Sequence, residues 1–248
     1  MPKLHVKTTL SVVLEDGREL EVSERPVDAS DKDAFKFHRF PDGRTLVAYL
    51  TRDSDPMHPL DDVDGDGKIY RFTRDATITE RNEGFEFVRT EDSEGRPMTP
   101  DPLAVILNKY EHSLTMWYVA GTSGHECRWD TSRGAGVWVP DDCAREAIVE
   151  RAAKAVKDGD AEALRKEQRR LAEEIASIAC ERYTSYVNGD CYRNVFEWCK
   201  PSGELEEPDD FGEQRGPYYG RQEAEDCLKE DFDEQVKLHT KDPDEPGP

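Results

Sequence analysis

No stretch of this chain reaches the ~20 consecutive apolar residues that span a bilayer, which excludes a hydrophobic membrane helix. Its opening residues, Met1 to Lys7, contain no apolar core of the kind a secretory signal needs, so we expect a cytoplasmic protein. None of the six cysteines (Cys127, Cys143, Cys180, Cys191, Cys199, Cys227) stands in a Cys-x-x-Cys spacing, and in a reducing compartment they should remain thiols. Also missing are a Gly-x-x-x-x-Gly-Lys-Ser/Thr phosphate loop, a dinucleotide fingerprint and a His-Glu-x-x-His metal motif. Positive charge is scarce: 34 Lys and Arg face 55 Asp and Glu, for a net charge of −21. Such a chain repels nucleic acid and anionic membranes at long range and attracts basic proteins or cations.

What is present is unevenly spread. Residues 204–248 hold 16 acidic and five basic side chains, a net of −11, so the imbalance is concentrated near the carboxyl end. Hydrophobic residues make up 35% of the chain and charged residues 36%, enough apolar material for a folded core, but a modest one.

The first ninety or so residues alternate and turn often. Leu10, Val12 and Leu14 precede Asp16-Gly17, and Leu20 and Val22 follow it, which is the pattern of a tight hairpin. A second hairpin pairs Phe35–Phe37 with Leu46–Leu50 across Pro41-Asp42-Gly43, and further strands are expected at 68–73, 77–80 and 85–89. Prolines, a glycine and charges at 91–102 predict a linker. Beyond it, strands at 114–120 and 136–139 lead to a helix beginning near Asp141-Asp142, where carboxylates suit the positive end of the helix dipole. A second helix is predicted from Asp160 to Val187, because Leu164, Leu171, Ile175, Ile178 and Tyr186 recur at three- and four-residue steps before Asn188-Gly189. After Cys191 a hairpin turning at Lys200–Gly203, an acidic loop at 204–213 and a final helix from about Arg221 to Leu238 are expected. The expected fold is α+β, with a β-rich unit at 1–90, a linker at 91–102, an α+β domain at 103–240 and a disordered tail at 241–248.

Four groupings bear on chemistry. Asp62-Val63-Asp64-Gly65-Asp66-Gly67 sets carboxylates at positions 1, 3 and 5 of a calcium loop with glycine at position 6, so Asp62, Asp64 and Asp66 are candidate calcium ligands. Thr73 occupies position 12, where a bidentate glutamate belongs, and the same letters also describe an ordinary turn between strands. His125, Cys127 and Cys143 have donors soft enough for zinc but no recognised spacing. His112 and Ser113 are adjacent, and on a strand they would face opposite ways, so a hydrolase would need His112 oriented by a distant partner such as Asp130. Arg165, Lys166, Arg169 and Arg170 read either as a phosphate contact or as a solvated helix face, and the 10 acids against 9 bases in residues 142–187 favour the face. The aromatic residues from Trp117 to Trp138 and from Tyr183 to Tyr219, Trp129 among them, lack the cationic surroundings that base stacking needs and are assigned to the core.

An ordered series runs through the second half: Tyr110-Glu111-His112-Ser113, Cys127 to Ser132 with Gly136 to Val139, Tyr183 and Tyr186 before Asn188-Gly189-Asp190, then Tyr218-Tyr219-Gly220 with Glu223 and Glu225. It resembles a family of small bacteriophage-encoded proteins of unknown function over roughly residues 105–235. Leu114 stands where that pattern has its first glycine. The resemblance implies a phage or mobile-element origin and no activity.

The sequence thus predicts an acidic phage-type accessory protein that binds a basic host protein, with Glu223, Glu225, Asp226, Glu230, Asp231, Asp233 and Glu234 as the contacting side chains. Duplex DNA presents one charge per ~1.7 Å of axis, so such a helix can occupy a groove built for phosphates and inhibit a nucleic-acid-binding defence or processing complex. A calcium-binding β module is the alternative, and a hydrolase using His112 and Asp130 the second.

Overall fold

A computed structural model describes residues 10–60, 64–71, 90–91, 97–98, 101–122, 127, 129–156, 160–206 and 213–240. In chain order the strands are β1 (Leu10–Val13), β2 (Glu19–Val22), β3 (Phe35–Arg39), β4 (Thr45–Arg52), β5 (Lys68–Arg71), β6 (Thr90–Glu91), β7 (Pro97–Met98), β8 (Val105–Glu111), β9 (Thr115–Val119) and β10 (Thr131–Val139). Helices α1 (Asp142–Ala155) and α2 (Ala161–Val187) follow, then β11 (Cys191–Cys199), β12 (Glu213–Tyr219) and α3 (Arg221–Thr240). The fold is α+β, with antiparallel sheets and three helices among the described residues.

The chain divides into two compact units, and the division is not at the expected linker. One unit joins residues 1–56 to 190–248; the other is 57–189, inserted between the two halves of the first. Strand β4 explains why. Seven consecutive residues, Thr45 to Thr51, are buried, so this strand needs neighbours on both edges and cover on both faces. Its edges are taken by β3 and by β11, giving the order β12-β11-β4-β3, with Tyr49 opposite Val195 and Leu46 opposite Trp198. One face receives α3 through Leu46, Ala48 and Leu50, and the other receives the β1–β2 hairpin through Val47 and Tyr49. An independent β unit at 1–90 would leave β4 without its partner. The separate domain boundaries expected at 91–102 are therefore corrected; the short pair β6–β7 falls within the first part of that stretch.

Both predicted hairpins form. Leu10 faces Val22 and Val13 faces Glu19, and Gly17 takes φ +81° in the turn. The turn at Lys200–Gly203 also closes, with the Gly203 N–H on the Lys200 carbonyl at 2.9 Å, but the long partner of β11 is β4.

The inserted unit is a four-stranded sheet, β5-β10-β8-β9, covered on one face by α1 and α2. Leu107, Trp117, Trp138, Ile148 and Leu171 meet in its core. Asp141 and Asp160 cap the two helices, the latter accepting from the Glu162 and Ala163 N–H groups. At the far end of α2, Asn188 bonds both the N–H (3.0 Å) and the carbonyl (2.7 Å) of Thr115, and Thr184 accepts the Trp117 N–H. These contacts occupy the outer edge of β9, where an unpaired strand would otherwise invite another chain. Strand β8 at the sheet centre was not anticipated. The strands expected at 77–80 and 85–89, and the tail expected from 241, lie outside the described residues. Among the described residues no helix is long and apolar enough to cross a membrane.

Candidate functional site

Helix α3 owes its place to one ridge. Ala224, Leu228 and Phe232 recur every fourth residue, are buried, and pack on Ala48, Leu50 and Phe196 of the sheet. At its start the Glu223 carboxylate reaches back to accept the Tyr219 N–H at 3.1 Å, and Lys237 and His239 in the last turn suit the negative end of the dipole.

The seven predicted contact carboxylates separate into two groups. Glu223 is committed to the cap, Glu225 accepts from Arg221 at 2.5 Å, and Asp231 accepts from Arg215 at 2.5 Å. Glu223 and Asp231 tie the helix to β12, while the Glu225–Arg221 pair lies within the helix itself. Asp226, Glu230, Asp233 and Glu234 are exposed, and Gln222 donates to Asp226 at 3.2 Å. At 100° per residue these four form one stripe about 12 Å long, on the side of α3 opposite the Leu228 ridge. Carboxylates of both groups act on Cys227, whose thiol is pushed above its ordinary value by burial first and then by Glu223, Asp231, Glu230 and Asp226. Burial, then Cys227 and Asp231, likewise push the Tyr218 phenol up to about 12.

The Asp/Gly turn is built into the inserted unit. Asp62 lies outside the described residues, and Asp64 is exposed. The Gly65 and Gly67 N–H groups both donate to Asp141 Oδ2, at 2.9 and 3.0 Å, while Asp141 Oδ1 accepts the Ala144 N–H at 2.7 Å. Trp138 Nε1 donates to the Asp66 carbonyl at 2.7 Å, and the Asp66 carboxylate is paired with Arg182. A cation at this turn would have to compete with Arg182 for Asp66. The sequence marked Asp141 as a helix cap; its second duty, toward a turn far away in the chain, left no local trace. Asp141→Ala removes the acceptor of three N–H groups and should cost about 2–4 kcal/mol, read from the denaturation midpoint, with Asp141→Asn losing less.

His112 and Asp130 do meet: Nδ1 lies 3.9 Å from Oδ1, because the Glu111 N–H bonds the Asp130 carbonyl and brings the β8–β9 turn beside the start of β10. The imidazole side chain is 69% exposed, and in open water such a pair gains little from its charge. Trp129, the sequence neighbour of Asp130, is 86% exposed on the turn entering β10, which corrects its assignment to the core. His125 lies outside the described residues, and no group of three metal-ligating side chains forms among those described. The basic cluster on α2 is a solvated face in large part, since Arg169 pairs with Glu173 and Arg170 with Glu167 and Glu174. Cys180 and Cys199 are buried, and burial first of all pushes each thiol up to about 12.

No family model, curated protein or solved structure matches this chain.

Proposed function

We propose that this protein is a protein-binding module that offers the outer stripe of α3 to a basic surface on its partner. The observation that supports the reading is the division of labour on the helix. Three carboxylates are spent on the cap and on Arg221 and Arg215, and four at one-face spacing carry their charge to solvent. Four like charges along about 12 Å repel one another, and a cationic groove relieves that repulsion on contact. The motif series between Tyr110 and Glu225 supplies the setting we favour, a phage-type accessory protein whose partner is a host nucleic-acid-binding complex. A groove shaped for phosphates would accept this stripe in place of a strand of DNA.

The test is a combined Asp226→Asn, Glu230→Gln, Asp233→Asn, Glu234→Gln variant, whose side chains keep their size. It should keep the wild-type melting temperature within about 2 °C, because none of the four is buried. Affinity for a lysine-rich probe protein should fall tenfold or more at low salt, and the wild-type affinity should itself decline steeply as salt is raised. Equal affinity of variant and wild type at low salt would refute the reading.

A further inference from the structure

Glu197 is the odd member of the core beneath the β1–β2 hairpin. It is 5% exposed on β11, between Val195 (1%) and Cys199 (0%) on the same face. Its neighbours are hydrogen-bond donors without charge. The Ser23 N–H lies 3.1 Å from Oε1 and 3.2 Å from Oε2, and the Tyr49 hydroxyl lies 3.0 Å from Oε2. Tyr49, itself fully buried, also accepts the Glu24 N–H at 3.1 Å. Ser23 and Glu24 are the two residues that follow β2, so the carboxyl grips the hairpin at its base.

Among the described residues the titratable and charged groups around this site are Glu21 from the hairpin, Glu24 just after it, Tyr49 from β4, Arg193 and Cys199 from β11, and Glu206 beyond β11. Arg193 is turned to Glu24 at 3.0 Å and to Gln214 at 2.9 Å, not to Glu197. Burial, with the Glu24 charge adding to it, holds the Glu197 carboxyl above the ordinary glutamate range, against the opposing hydrogen bonds of Ser23 and Tyr49. Burial first and then the Glu197 charge push the Tyr49 phenol well up, so it stays neutral. Serine and tyrosine hydroxyls can donate or accept, and by rotating they serve either protonation state of the carboxyl.

We propose that Glu197 is a proton-operated latch for the amino-terminal hairpin: protonated, it lets the hairpin seat fully on the sheet, and ionised, it loosens that seat. An ionised carboxylate here has lost its water, gains no cation in return among the described residues and sits beside Glu24. In the opened hairpin the same carboxyl is hydrated and titrates at its ordinary value. Between the ordinary and the raised value the seated form therefore binds more protons than the opened one. Seating is strongest below that window and weakens as pH rises through it, by at most about tenfold in the opening equilibrium per pH unit.

Hydrogen exchange on the full chain from about pH 5 to about pH 8, corrected for intrinsic exchange, tests the latch. Amides of residues 10–22 should lose protection as pH rises, up to about tenfold per unit, and Glu197→Gln should abolish that dependence while keeping the low-pH protection. Should Glu197→Gln not fold, Tyr49→Phe serves instead: it removes a donor to the carboxylate and should extend the loss of protection to higher pH. An infrared band of a protonated carboxyl, present in the wild type above the ordinary glutamate range, would support the same conclusion. A flat wild-type profile, a Glu197→Gln profile that slopes like the wild type, or a Tyr49→Phe shift to lower pH would overturn it.

Discussion

Gly67→Ala should cost the inserted unit about 3–5 kcal/mol. Two independent penalties meet at this residue. Its φ is +69°, a left-handed conformation that costs an L side chain about 1–2 kcal/mol. A Cβ there would also lie 2.6 Å from Cε2 and Nε1 of Trp138, well inside contact distance. The ring cannot step aside, since it is fully buried and its Nε1 is bound to the Asp66 carbonyl at 2.7 Å. Gly65→Ala separates the two effects: φ there is +103°, but a Cβ meets nothing within 4 Å, so only the backbone penalty of about 1–2 kcal/mol remains. Urea denaturation of both variants measures the difference. Similar losses for the two would mean that the indole is not packed on the turn.

Leu228→Ala should cost about 3–4 kcal/mol in the other unit, because it deletes the middle of the ridge that seats α3. Leu228 is fully buried and sits between Ala224 and Phe232 over Ala48, Leu50 and Phe196. Alanine cannot fill that volume, and the β-sheet below cannot collapse into it. Ile178→Ala on α2 is the comparison, since Ile178 is 45% exposed and its truncation should cost under about 1 kcal/mol. This pair also separates folding from binding. Leu228→Ala should lower stability and recognition together, whereas amides on the outer stripe should lower recognition alone. A stable Leu228→Ala protein, within about 1 kcal/mol of wild type, would mean that α3 is held by its ion pairs instead.

How far the residues alone could lead is plain from particular elements. The hairpin at Asp16-Gly17, the caps at Asp141 and Asp160 and the stop at Asn188-Gly189 were all legible, because each depends on a few neighbouring side chains and one backbone conformation. Strand β8 was missed. Val105 to Glu111 follows a proline-rich stretch, and its burial comes from β10 and β9 on its two edges. The four-plus-three split of the α3 carboxylates was hidden in part. The i,i+4 spacing of Arg221 and Glu225 announces their pair, but nothing in the position of Asp231 says that Arg215, on the preceding strand, will claim it. Trp129 and Glu197 mislead in opposite directions, a large apolar side chain left in water and a carboxyl drawn into the core. Each is placed by what lies across from it, not by its own hydropathy.

Residue order was enough to dictate the α+β class, the turns, the helix ends and the crowding of carboxylates toward the carboxyl end, since these follow from interactions spanning a turn or two of chain. The union of β4 with β11, the insertion of a whole unit between them, and the choice of which acids face solvent came from the folded chain. Strand partners are selected by the total burial they achieve across both faces of a sheet, and that quantity exists only once distant segments have met.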